Sequence, residues 1–163
     1  MNCYFYATSH APKAHVKGPG IISFCVPDLG FTYRAALRIT PSEFPYRALL
    51  ALIRFLESNR KVWHRQNLKI LTDCTPIVYQ VQGEMVAPES VRSMLGTVNI
   101  KKHQLPFTLH WVPAAENRAR ENITRQPLAR PALELNFSSL QDTTLVQRAT
   151  QWKKSDPKES RPN

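Results

Sequence analysis

Asp73 stands where a carboxylate could do chemistry. It follows the apolar run Leu68-Lys69-Ile70-Leu71 and Thr72, and precedes Cys74-Thr75-Pro76, which open a segment with Ile77, Val78 and Val81 on one helical face. A short run of mostly branched apolar residues before a polar break reads as a buried strand. Pro76 fits the first turn of a helix, whose N-terminus then lies beside the strand tip. A carboxylate at such a junction can hold a hard cation or sit beside a bound phosphate. The second chemically informative set is basic. Lys and Arg number 22 against 12 acids, giving a formal charge of +10 and a pI near 9.9. This is the electrostatic footprint of a chain with a polyanionic partner such as nucleic acid.

Other chemistries are excluded by spacing. Cys3, Cys25 and Cys74 form no C-x-x-C pair and no Cys/His zinc pattern, so buried thiols are expected rather than a disulfide framework or a zinc site. No apolar run approaches the ~18 residues of a membrane span. The start, MNCYFYATSH, lacks a signal peptide's basic head and long apolar centre, so a soluble intracellular protein without a membrane partner is expected. The 163 residues, 42% of them hydrophobic, suffice for one domain with a proper core.

The elements that must position Asp73 follow from pattern. Asn2 to Thr8 alternate Tyr4 and Tyr6 against Cys3, Phe5 and Ala7, as in a central strand. A basic loop, His10 to Gly20, carries Lys13, His15 and Lys17 and closes on the turn signal Gly18-Pro19-Gly20. Ile21 to Val26 and Phe31 to Ile39, joined at Pro27-Asp28-Leu29-Gly30, read as antiparallel strands. A long helix then begins near Ser42, the expected N-cap, with Pro45 in its first turn and Tyr46, Leu49, Leu50, Ile53 and Leu56 as its apolar stripe. Trp63 lies among Arg60, Lys61, His64 and Arg65, where it could stack a base. After the Asp73 junction, a helix from Pro88 through Val98 leads to Lys101-Lys102-His103 and a last strand, Leu105 to Val112, stopped by Pro113.

Several of these phrases resemble ribonuclease H of the plant and archaeal or reverse-transcriptase-associated type. T-D-C-T-P-I-V-Y-Q-V-Q-G-E from Thr72 is similar to that family's [SG]-D-S-x-L-V-[IV]-x-Q-V-N-G-E segment, with the middle catalytic aspartate on Asp73. G-P-G-I-I-S-F-C-V from Gly18 resembles the strand after the first catalytic strand. Thr40, Tyr46, Arg47, Ala48, Leu49 and Leu50 match T-N-N-x-A-E-Y-R-A-L-L. W-V-P from Trp111 and Glu116-Asn117 match the terminal phrase, which places the last catalytic aspartate on Glu121. The family's principal metal-ligating aspartate falls on Ala7, and its glutamate on Pro45.

The resemblance implies an α/β chain with a mixed five-stranded sheet of order 3-2-1-4-5 and helices on both faces. The domain would cover residues 1 to 125, followed by a Pro-containing basic extension, 126 to 163, in which Leu145, Val146, Ala149 and Trp152 have helical spacing. Family members cleave RNA in hybrids with clustered carboxylates and two cations. Alanine and proline supply no oxygen ligands, and Arg120, where the family has a small alanine, competes with Mg²⁺ for the carboxylates that remain. Asp73 and Glu121 are thus the residual catalytic or metal-ligating positions, with weakly bound Mg²⁺ or no cofactor. The leading expectation is a catalytically degenerate domain acting as a binding or assembly module for RNA or an RNA/DNA hybrid. Its contacts are Lys13, Lys17, Arg47, Trp63, Arg65, Lys101, Lys102, Arg118 and Arg120. One alternative is an active nuclease with Glu43 or Asp28 moved into the site. Another is a protein-interaction subunit using the extension.

Overall fold

Cys3 and Phe5 on one side and Tyr4 and Tyr6 on the other give strand β1 (Asn2–Ser9) two usable faces, and it takes the centre of the sheet. β1 pairs antiparallel with β2 (Gly18–Val26), which pairs antiparallel with β3 (Phe31–Ile39). On its other side β1 runs parallel to β4 (Leu68–Thr72), and β4 parallel to β5 (Phe107–Trp111). The order is 3-2-1-4-5, as the resemblance implies. This computed structural model describes residues 1–121; the extension expected over 126–163 falls outside them.

The β2–β3 connection closes on Gly30, whose φ of 61° is the left-handed conformation that glycine adopts without steric cost. Gly18-Pro19-Gly20, expected as a turn, is instead the first part of β2, paired with Leu37 to Ile39. The carbonyl of Pro19 still serves the loop by accepting from His10 N–H. At Gly20 the constraint is space rather than φ: a Cβ would collide with the Phe44 ring and the Thr8 carbonyl.

Helix α1 (Glu43–Ser58) crosses β1 and β2, burying Phe44, Tyr46, Leu49, Leu52, Ile53 and Leu56. Each such side chain contributes ~1.5–3 kcal/mol by leaving water. Ser42 does not cap this helix with its hydroxyl. Thr40 and Glu43 close the helix start instead: Glu43 Oε2 accepts from Thr40 N and Oγ1, both at 2.9 Å, while Glu43 N donates to Thr40 O. After a single turn, α2 (Arg60–Trp63), the chain enters β4. Trp63 is only 5% exposed and donates its indole N–H to Leu56 O at 2.8 Å. Its ring therefore belongs to the core, which corrects the expectation of base stacking at this residue.

Helices α3 (Thr75–Gln82) and α4 (Arg92–Gln104) complete this face. Ile77, Val91 and Val98 share one core with Phe5, Ile70 and Leu109. Tyr46 donates its hydroxyl to Gln80 Oε1 at 2.7 Å, tying α1 to α3, and Lys101 Nζ meets Glu57 Oε1 at 2.8 Å between α4 and α1. Gln82 donates its side-chain amide to Leu109 O on edge strand β5. On the opposite face of the sheet, the helical cover within the described residues is the 3-10 turn Arg118–Arg120. There Ala119 is buried, and its carbonyl accepts from Ser23 Oγ at 2.9 Å. No helix among the described residues is long and apolar enough to cross a membrane.

Candidate functional site

β4 ends at Thr72, level with Phe5, while β1 runs on to Ser9. Tyr4 is level with Leu71 in the parallel pair, so two residues further on Tyr6 and Asp73 come side by side. Beyond β5, Pro113 and the 3-10 turn Ala114–Glu116 lead the chain back to the middle of β1 and the end of β4. Asn117, 2% exposed, is the fastener. Its amide nitrogen donates to Phe5 O at 2.9 Å and to Asp73 Oδ1 at 2.6 Å, and its Oδ1 accepts from Ala119 N, capping the next turn.

That turn delivers Arg120 onto the carboxylate. Arg120 Nη1 lies 3.1 Å from Asp73 Oδ2, Nη2 donates to the Tyr6 hydroxyl at 3.1 Å, and Cζ stands 4.5 Å from the Tyr6 ring centroid. The last contact is a cation–π arrangement. Each oxygen of Asp73 thus has its own donor, one charged and one neutral. The neighbouring Cys74 thiol is pushed up by burial.

Among the described residues, the donors do not fit a two-cation centre. Ala7 pairs with Ile22 and packs against the hydrocarbon core, and Pro45 sits in the first turn of α1, so neither offers an oxygen side chain. The Glu43 carboxylate is folded back on Thr40. Asp28 closes the β2–β3 connection, near the start of β1 and so at the other end of the sheet from Asp73. Glu121 is exposed just after the arginine turn. Among the described residues, no group of three or more His, Cys, Asp or Glu side chains is placed to hold a metal ion.

No family model matches the chain, and no curated protein sequence does. Solved structures do match. LC11-RNase H1, isolated from compost, superposes with a TM-score of 0.63 at 19% identity over 74% of this chain and 89% of its own. The fold is that of ribonuclease H. The N-terminal RNase H domain of a Mycobacterium tuberculosis protein gives 0.54 at 18% identity, covering 73% of this chain and 92% of that one. RNase H1 from the halophilic archaeon Halobacterium salinarum gives 0.53 at 17%, covering 72% and 89%. LC11-RNase H1 is also known in complex with an RNA/DNA hybrid.

Within this ribonuclease H-like frame the expected basic contacts divide. Lys13 and Lys17 are exposed in the β1–β2 loop, and Arg118 is exposed beside Arg120, all at the Asp73 end of the sheet. Arg47 is half-buried on α1. Arg65 precedes β4 and Lys102 lies in the last turn of α4, so both lie toward the opposite end. Lys101 is part-exposed and paired with Glu57 across α4 and α1. Tyr6 and Asn117 are the site residues that spacing alone does not single out. Asn117 falls within the matched terminal phrase, which is the one signal that marks it.

Proposed function

We propose that this chain is a catalytically degenerate ribonuclease H-like domain serving as a nucleic-acid-binding or assembly module, with RNA or an RNA/DNA hybrid as its ligand. The observation that carries this reading is the Arg120–Asp73 pair: a cation already occupies the carboxylate that the resemblance assigns to metal binding. In-line phosphodiester hydrolysis needs an activated water and a stabilised leaving oxygen, which two cations supply in this fold. Asp73, engaged by Arg120 and Asn117, supplies neither. Glu121 adds one exposed carboxylate, enough at most for a weakly held, hydrated Mg²⁺.

Binding remains chemically well supported. The charge of +10 favours a polyanion, and Lys13, Lys17, Arg118 and Arg120 at one end of the sheet are suited to backbone phosphates, with Arg47, Arg65 and Lys102 as outlying contacts. Contacts to phosphate position a ligand without reading its sequence. Affinity then depends little on sequence and falls steeply with salt. Such a domain resembles the connection domains of reverse transcriptases or components of ribonucleoprotein assemblies.

The test has two parts on the same purified chain. Incubation with an RNA/DNA hybrid in Mg²⁺ or Mn²⁺ leaves the RNA intact, and a salt titration of binding shows a steep, sequence-tolerant dependence. Cleavage that Asp73→Asn abolishes would establish the active-nuclease alternative. Absence of binding at low salt would end the nucleic-acid reading.

A further inference from the structure

The Arg120 guanidinium is held in one place from three directions: by Asp73 Oδ2, by the Tyr6 hydroxyl and by the Tyr6 ring. Asp73 is itself held by Asn117, which is anchored to Phe5 O and Ala119 N. The two members of the ion pair differ in what they show to solvent. The Asp73 side chain is 13% exposed and that of Arg120 is 37% exposed, so the covered partner is the anion and the accessible one the cation.

The geometry points to Arg120 as a built-in cation that receives a backbone phosphate at this carboxylate in place of a divalent metal ion, with Asp73 positioning it and moderating its affinity. This rests on the reading that the chain binds nucleic acid. A guanidinium carries five N–H donors in a planar fork, and in the proposed contact a phosphate oxygen shares that fork with Asp73 and the Tyr6 hydroxyl. Fixing the side chain beforehand reduces the ordering cost of the contact. Arg118 in the same turn and Lys13 and Lys17 in the β1–β2 loop add positive charge at this end, while exposed Glu116 and Glu121 oppose it. The site therefore suits one directed phosphate contact, not a broad electrostatic trap.

This arrangement reverses the sign expected of a metal site. At a metal ligand, removal of the Asp73 charge weakens ligand binding. Beside a phosphate-binding arginine, it strengthens binding, because the anion that competed with the phosphate is gone. A unit charge ~4 Å away in water is worth about fivefold in affinity.

The experiment measures anisotropy of a labelled RNA/DNA hybrid with the full chain, in EDTA and in Mg²⁺ at matched ionic strength. The wild type binds equally in both, Asp73→Asn binds about fivefold tighter, Arg120→Gln binds weaker by a similar factor, and Arg120→Lys falls between. An affinity gain with Mg²⁺ that Asp73→Asn removes would overturn the inference. Hybrid binding indifferent to Arg120→Gln would overturn it too, while leaving the binding function intact; absence of hybrid binding in the wild type would instead remove the functional reading beneath it. A second measurement does not depend on the Asp73 variant folding. Mn²⁺ leaves the Asn117 side-chain amide signals sharp in the wild type and broadens them in Arg120→Gln, whereas broadening in the wild type would show a metal ion at Asp73 and sink the proposal.

Discussion

Asn117 and Phe5, 112 residues apart in the chain, are joined by a 2.9 Å hydrogen bond from side-chain amide to main-chain oxygen. The same amide holds Asp73, so one residue ties the middle of β1 and the end of β4 to the turn that carries Arg120. Asn117→Ala leaves buried polar groups without their partner, at a cost of about 1–3 kcal/mol for each group. Chemical denaturation is expected to show a loss in that range or above, and Asn117→Asp, which sets a second carboxylate against Asp73, a larger one.

Lys101 and Lys13 look alike in sequence and differ in structure, since only Lys101 has Glu57 across from it. The ion pair is partly exposed, so Lys101→Gln lowers stability by less than ~1 kcal/mol and leaves hybrid affinity nearly unchanged. Replacing Lys13 and Lys17 by Gln instead lowers the slope of log affinity against log salt by roughly 0.9 for each phosphate that is no longer neutralised. Parallel salt titrations of the two variants separate these roles.

Trp63 tests the distinction between a core residue and one that touches ligand. Trp63→Ala opens a cavity beneath α1 and is expected to cost about 3–5 kcal/mol. Trp63→Phe keeps an aromatic ring but forgoes the bond to Leu56 O, worth ~1 kcal/mol. Hybrid affinity of the folded Phe variant should equal that of the wild type, because the ring faces the interior.

On the proposed reading, acids introduced at positions 7 and 45 alone are expected not to give catalysis. Ala7→Asp with Pro45→Glu adds ligands while Arg120 still occupies Asp73, so a hybrid-cleavage assay is expected to stay negative until Arg120 is also replaced by Ala. Ala7→Asp also sets a carboxylate against hydrocarbon, and the melting temperature should fall in metal-free buffer.

Alkaline pH weakens the fold in a defined window. Burial, more than the neighbouring Cys25 and Asp28, pushes the Cys3 thiol up to about 12, against a smaller lowering by the N-terminal charge. Burial likewise pushes Tyr46 up to about 12 and raises Tyr33. These groups stay protonated in the folded chain while the unfolded chain ionises, so their stabilisation is complete below about pH 9 and is lost progressively toward about pH 12. The slope approaches ~1.4 kcal/mol per pH unit for each group. Denaturation midpoints measured from neutral pH upward should decline above pH ~9, and Cys3→Ala should delay the onset.

The strand-to-helix junction at Asp73 was legible because its signals are local: a short apolar run, a polar break and Pro76 in the first helical turn. The sheet order came through resemblance, since pairing partners lie far apart in the chain. Arg120 beside the carboxylate could be anticipated from its place in the matched phrase. Its contacts with Tyr6 could not, because they depend on strand register across more than a hundred residues. Ser42 takes the N-cap position of α1 as expected but makes no side-chain cap bond, whereas Glu43 stands three residues after Thr40, the spacing of a reciprocal cap. Trp63 misleads for a similar reason: its basic neighbours point outward while the ring reaches back to Leu56.

The bond from Gln82 to the carbonyl of Leu109 bears on how the molecule behaves in a crowd. β5 is an outer strand, and an outer strand with unused main-chain groups is a template on which another chain can add. Here an acceptor on that rim is already taken by a side chain of the same molecule. An incoming strand would share or displace that bond, so the glutamine makes this stretch of the rim a poorer template for self-association along the sheet.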